Sequence, residues 1–196
     1  MKIGKVVKFI FAALFIVFMA AVILRIFMLK DSRTLSDIYP TDAAKTAYAE
    51  DGSGAFLTHR PAEEISSDGY YSAYAMVYAP EEKELQLTVR YNDSLPERYM
   101  LGSIPENYAW ELRDVDGSVI EEGTVLDTAE KYRYNYVRVA FNGVEIDNDD
   151  ELYLFLISDE VQYPEADTEG LRLHGPENSF KTYKPDKNEK NALEAE

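Results

Sequence analysis

The chain has no cysteine. That excludes a disulfide framework, a thiolate metal site, a lipid-modified cysteine and a cysteine nucleophile, so an exported domain of this sequence must rest on its own core. Histidine is nearly absent too, at two residues, His59 and His174, far apart in sequence. A transition-metal centre needs about three ligands and a supporting shell, and both histidines read as surface residues. Basic residues are scarce after the first thirty. Lys2, Lys5, Lys8, Arg25 and Lys30 stand there with no acid, which leaves 15 of the 20 basic residues against all 36 acidic ones, a net of −21 beyond Lys30. A body that acidic repels nucleic acid, whose binding needs cations on phosphates.

The catalytic signatures are missing as well. There is no G-x-S-x-G elbow for a serine triad, and with 36 acids the presence of carboxylate pairs says nothing about glycoside cleavage. Asp147-Asn148-Asp149-Asp150-Glu151 places five oxygen-bearing side chains in a row, but neighbours on an extended chain point apart, and no calcium-loop spacing is matched. Asp114-Val115-Asp116-Gly117 has the opening of an EF-hand loop, yet aligning its glycine puts Gly123 where the bidentate glutamate belongs. No catalytic, cofactor-binding or metal-binding residue is expected.

What is present begins with a long apolar run. Phe9 to Leu24 carries no charge and no proline, and apolar residues continue from Val6 to Leu29 around Lys8 and Arg25. A helix of that length spans a bilayer with some tilt, the flanking cations reaching the interface. A cleaved signal peptide fits less well, because its small-residue site, Met19-Ala20-Ala21, would lie inside the apolar stretch. Three lysines before the span place the N-terminus inside and the rest outside. The expected divisions are a basic cytoplasmic N-terminus (1–8), an anchor in the lipid bilayer (9–29), a connector (30–66) with a short helix near Thr41–Glu50, a β domain (67–184) and a charged disordered tail (185–196).

From Ser67 to Lys184 the dominant period is two, the mark of strands with one buried face. Leu85, Leu87, Val89 and Tyr91 alternate with Glu84, Gln86, Thr88 and Arg90. Tyr70–Ala79 precedes them as a hairpin partner. Tyr108–Val115 and Ser118–Val125 flank the turn Asp116-Gly117, with Trp110 and Leu112 inward. Arg133–Phe141, Leu152–Ile157, Leu171–Leu173 and Phe180–Tyr183 complete seven or eight strands. That spacing predicts a mainly β fold, an antiparallel two-sheet β-sandwich, ahead of a barrel. In LDTAEKYRYNYVRVAF, Leu126 and Tyr132 lie six apart before an alternating strand. The pair resembles the tyrosine corner of immunoglobulin-like and fibronectin type III domains over about 16 residues, without the usual proline and glycine between them. The resemblance implies an immunoglobulin-like topology and no particular function.

Tyrosine is the distinctive excess, 15 of 196 residues. Alternation puts Tyr74 and Tyr78 on one face with Met76, and Tyr132, Tyr134 and Tyr136 on the face opposite Val137, Val139 and Phe141. Exposed tyrosines offer a large contact at low entropic cost, so these five form the candidate interaction face. The expected function is a membrane-anchored, extracytoplasmic, non-catalytic protein-interaction module of the cell envelope, docking another envelope or membrane protein. The alternatives are a cell-wall glycan-binding domain and an enzyme of unrecognised type. A docking face should be broad, with tyrosines among apolar residues. A sugar site should be a groove with rings beside Asp, Asn or Gln, and an enzyme should bring titratable groups together in a pocket.

Overall fold

A computed structural model of the chain describes residues 3–29, 35–62, 71–92, 109–131, 134–157 and 170–195. It divides into two units, one up to Thr34 and one from Leu35 onward. The first contains α1 (Ile3–Leu29), whose described side chains are those of Lys8 and residues 10–24. Among the described residues no helix is long and apolar enough to cross a membrane.

The second unit is mainly β. Its strands are β1 (Leu57–Thr58), β2 (Tyr71–Ala79), β3 (Glu84–Asn92), β4 (Ala109–Arg113), β5 (Val119–Lys131), β6 (Tyr134–Asn142), β7 (Leu152–Ile157), β8 (Leu171–His174) and β9 (Lys181–Thr182). All pairings are antiparallel, and the hydrogen bonds run through one curled sheet in the order β8-β7-β4-β5-β6-β3-β2-β1-β9. The expected pair of separate sheets is therefore not shown. Its place is taken by a single sheet because β5 is long enough to serve two partners. Residues 119–123 pair with β4 and residues 124–131 pair with β6. A bulge between Val125 and Asp127 bends the strand on its way. The tyrosine-corner expectation meets the same fact. Lys131 pairs directly with Tyr134, so β5 and β6 form a hairpin within one sheet, while Tyr132 itself lies outside the described residues.

Curling gives the sheet an inside. Tyr71, Met76, Leu85, Leu87, Val89, Val137, Val139 and Phe141 meet Trp110, Leu112, Leu154, Leu156, Leu171 and Leu173 in one buried cluster. The Tyr71 hydroxyl donates to the Leu154 carbonyl across it at 3.3 Å, and Tyr78 Oη donates to the Val144 carbonyl at 3.0 Å. Gly123 makes the tight curl possible. A Cβ there would stand 2.3 Å from Val139 Cγ1 and 2.9 Å from Phe141 Cε1. Gly123→Ala is expected to cost about 1–2 kcal/mol by overpacking, read as a lowered midpoint in urea. A change below a few tenths of a kcal/mol would show that the bend does not depend on this position.

A smaller cluster covers part of the sheet's outer face: Ile38, Ala44, Ala47, Ala55, Phe56, Val77, Ala79 and Leu193. It is built from the two segments expected to lie outside the domain. The supposed connector is a strap. Gln86 on β3 holds both backbone groups of Tyr39, its Oε1 accepting from the amide at 2.7 Å and its Nε2 donating to the carbonyl at 2.9 Å. Thr41 then caps α2 (Asp42–Asp51), and Gly52 ends it at φ +60°. The supposed disordered tail also carries a helix, α3 (Lys187–Leu193). Asp186 and Glu189 form a reciprocal capping box, and Leu193 is buried. Charge density concealed it. Of its acids, Glu189 faces inward, where five donor contacts meet its carboxylate.

Candidate functional site

The outer face carries a groove of about 570 Å³ beside the β1–β9 edge. Thr58, Ala75 and Lys181 line it from the sheet, with His59, Arg60 and Pro61 where the chain leaves β1. Tyr74, Met76, Asp37, Tyr183 and the loop Glu177-Asn178-Ser179 complete the lining. β1 is only two residues long, and Pro61 follows it closely. Proline has no N–H for a ladder and favours extended backbone before it, so the edge frays into a groove there.

Of the five tyrosines singled out by the sequence, the structure brings three together, counting Tyr74, Tyr134 and Tyr136. The Tyr74 and Tyr136 rings lie edge to face at 6.1 Å, and the Arg90 guanidinium sits 5.1 Å from the Tyr74 ring and 4.6 Å from that of Tyr134. Tyr136 is only 2% exposed, whereas Tyr74 is 38% exposed and lines the groove. Tyr78 points the other way, into the interior, at 5% exposure. Plain alternation put Tyr74 and Tyr78 on one face. The bulge between Ala73 and Ala75 adds one residue opposite β3, which reverses the parity and sends Tyr74 outward. Tyr132 lies outside the described residues.

Behind the groove lies a polar network. Tyr183 Oη is 3.0 and 2.9 Å from the two oxygens of Glu189 and 3.3 Å from Asp37 Oδ2, so its single proton serves one acceptor at a time. Glu189 Oε1 also accepts from the amides of Asp37 at 2.7 Å and Ile38 at 3.2 Å. Burial, then the neighbouring Glu189, push the Asp37 carboxyl above the usual carboxylate range. Burial, with Asp37 and Glu189 beside it, holds the Tyr183 phenol far above its ordinary value. Arg138 answers these carboxylates from β6. It is 1% exposed, its Nε donates to Thr88 Oγ1 at 3.4 Å, and burial pulls its pKa below the usual value against the pull of Asp127, Asp37 and Glu189.

The two histidines, expected at the surface, are instead a buried pair. His174 Nδ1 lies 2.9 Å from His59 Nε2, and the Phe180 ring stacks on His174 at 5.1 Å. Together with the Ala62 amide, which donates to the Leu173 carbonyl at 3.0 Å, they bridge β8 to the chain leaving β1. These are the regions of the sheet's two ends. Nothing in the local sequence of either histidine announces the other, since 114 residues separate them and the bridge exists only because the sheet curls.

The acidic loop closes on itself. The Asp147 amide donates to Asp150 Oδ2 at 2.7 Å, and the Asp150 amide donates to the Asp147 carbonyl at 3.1 Å. Asp114–Ser118 is a hairpin turn with Gly117 at φ +79°. Among the described residues no group of three or more His, Asp or Glu side chains is placed to hold a metal ion. No known family model, curated protein or solved structure matches this chain. What fold and groove define is a class: a curled, antiparallel β domain with an open, mixed-charge groove holding an exposed aromatic ring.

Proposed function

We propose that the chain is a membrane-anchored, extracytoplasmic, non-catalytic binding module whose ligand lies in the groove, and that this ligand is a glycan. The observation that carries the reading is the Tyr74 ring, exposed in a groove it shares with Asp37 and Asn178. A ring offers its face to the C–H side of a sugar while carboxylate and amide groups take hydroxyls. Among the described residues the tyrosines do not spread as a broad apolar patch, since Tyr136 and Tyr78 are buried and Tyr74 and Tyr134 enclose Arg90. That arrangement supports a sugar over a flat protein partner. The titratable cluster behind the groove is engaged in holding the strap and α3 in place, which supports binding over catalysis.

The anchor reading rests on α1. Its side chains from Phe11 through Phe18 are exposed and apolar, with Phe11, Leu14, Phe15, Ile16, Val17 and Phe18 all more than 60% exposed. A helix apolar on every side is stable in lipid and a liability in water. In cells, the full chain is expected in the alkali-resistant membrane fraction, with its C-terminal part cut by protease added outside. Recovery in the soluble fraction would remove the anchor.

For the groove, the full chain in detergent micelles should be retained on isolated cell-wall polymer, and Tyr74→Ala should weaken retention about tenfold, or ~1.4 kcal/mol. Undiminished binding by the variant would end the glycan reading at this groove. Capture of one protein lost with Tyr134→Ala instead would favour the protein-docking alternative.

A further inference from the structure

We infer that the groove takes an anionic glycan, its acid groups meeting Arg60 and Lys181; this deepens the glycan reading and rests on it. Charge supports it. The chain carries 36 acids against 20 basic residues, yet two cations line this one groove. Three other cations of the domain are matched. Lys83 pairs with Glu145, Arg113 with Glu111, and Arg172 with Glu151 and Glu177. Arg60 and Lys181 make no ion pair and no side-chain hydrogen bond among the described residues. The bonds made at Arg60 use its carbonyl, which accepts from Asn178 Nδ2 at 3.3 Å and faces His59 Nδ1 at 2.6 Å.

The acids of the groove face partners other than these two cations. Glu177 is occupied by Arg172, whose Nη1 donates to its Oε1 at 2.7 Å. Asp37 faces the Tyr183 hydroxyl, and burial beside Glu189 disfavours its charged form. That leaves two cations beside the ring with no ion-pair partner among the described residues. A guanidinium offers a planar fork that fits a carboxylate, and an ammonium offers a point charge for a second acid. Register supports spacing along an extended chain. Lys181 stands opposite Thr58, two residues before Arg60, so the cations lie at successive positions along the sheet edge rather than at one point. A polymer with an acid on each sugar meets that arrangement, and a lone small anion meets half of it.

The test uses the full chain in detergent micelles with two probes of one backbone, an oligogalacturonate and its methyl ester, which differ only in charge. The acid form is expected to bind at least tenfold more tightly at low salt. Arg60→Gln with Lys181→Gln should erase the difference between the two probes while leaving the melting temperature unchanged, since both side chains are exposed. Tyr74→Ala should weaken both probes alike. Equal binding of the two probes by the unaltered protein would overturn the anionic inference and leave the glycan reading standing. Binding of neither would overturn both. A preference for acid that survives the double substitution would place the anion elsewhere and overturn the assignment. So would binding to phosphatidylglycerol vesicles with no response to either oligosaccharide.

Discussion

Glu189→Ala is expected to release both ends of the folded domain at once and to lower its stability by about 3 kcal/mol or more. The residue lies in a segment whose composition is that of a tail, but it is 4% exposed and its carboxylate is crowded with donors. The amides of Asp37, Ile38 and Asp186 point at it at 2.7, 3.2 and 2.7 Å, and the Tyr183 hydroxyl reaches both its oxygens. Alanine leaves those donors buried beside a methyl group, and each unsatisfied donor costs about 1–3 kcal/mol. Arg138 then loses one of the carboxylates around it, so an uncompensated buried charge adds to the cost. Because the strap and α3 both hang on this group, the loss should be visible locally first. Amide exchange should accelerate in residues 37–44 and 187–193 before it does in β3 and β6. Glu189→Gln keeps one acceptor and should lose roughly half as much. Equal, small losses in both variants would show that the network is not what holds the strap, and that the apolar contacts of Ile38 and Leu193 suffice.

The same residue marks where sequence reading reached its limit. Strands were legible because burying one face imposes a period of two. The expected runs Tyr70–Ala79, Glu84–Tyr91 and Leu152–Ile157 coincide with β2, β3 and β7 to within a residue. Trp110, Leu112, Val137, Val139 and Phe141 are interior as their alternation required. Alternation fails where a bulge inserts one residue, and so Tyr74 and Tyr78 were given one face when they occupy two. The difference between one curled sheet and two packed sheets depends on how β5 divides its length between β4 and β6, which no local pattern records. The end of the chain did carry a signal. Asp186 followed three residues later by Glu189 is a capping-box spacing, and Leu193 supplies the apolar residue such a helix must bury. The high charge of the segment conceals it. In the groove, Tyr74 was singled out and Arg60, Lys181, Asp37 and Tyr183 were not. With Tyr74 they come from four separated stretches, and only the closed sheet brings them together.

Acidification is expected to loosen the domain at the histidine bridge, because the bridge has room for one extra proton and no more. Four groups follow one another: the Arg60 carbonyl, His59, His174 and the Asp147 carbonyl. Their three contacts are 2.6 Å at His59 Nδ1, 2.9 Å between the rings and 3.3 Å at His174 Nε2. A carbonyl only accepts, so His59 Nδ1 must carry a hydrogen, its Nε2 accepts, and His174 Nδ1 donates. Two neutral rings therefore satisfy two contacts and leave His174 Nε2 facing the Asp147 carbonyl with no proton between them. One added proton on His174 completes the third bond, with Asp150 and Glu177 favouring that charge and Arg172 opposing it. A second proton falls on His59 Nε2 and sets two cations and two N–H groups against each other. Burial already holds both histidines below their ordinary value of 6.5. The unfolded chain therefore binds more protons than the folded one as pH falls through 6.5. The stability these residues lend is complete above that pH and is lost progressively below it. Asp37 works in the opposite sense, since its raised pKa favours the fold when it is protonated, and it acts nearer the carboxylate range. The melting temperature is expected to fall by about 5–10 °C between pH 7 and pH 5, at roughly 2–4 °C per kcal/mol for a domain of this size. His59→Phe with His174→Leu should lower stability at pH 7 and flatten the profile between pH 6.5 and pH 5. A double variant that keeps the full acid loss would place the titrating groups elsewhere. If the bridge does open, its first consequence falls on the groove, because His59 lines the groove and Arg60 follows it directly in the chain.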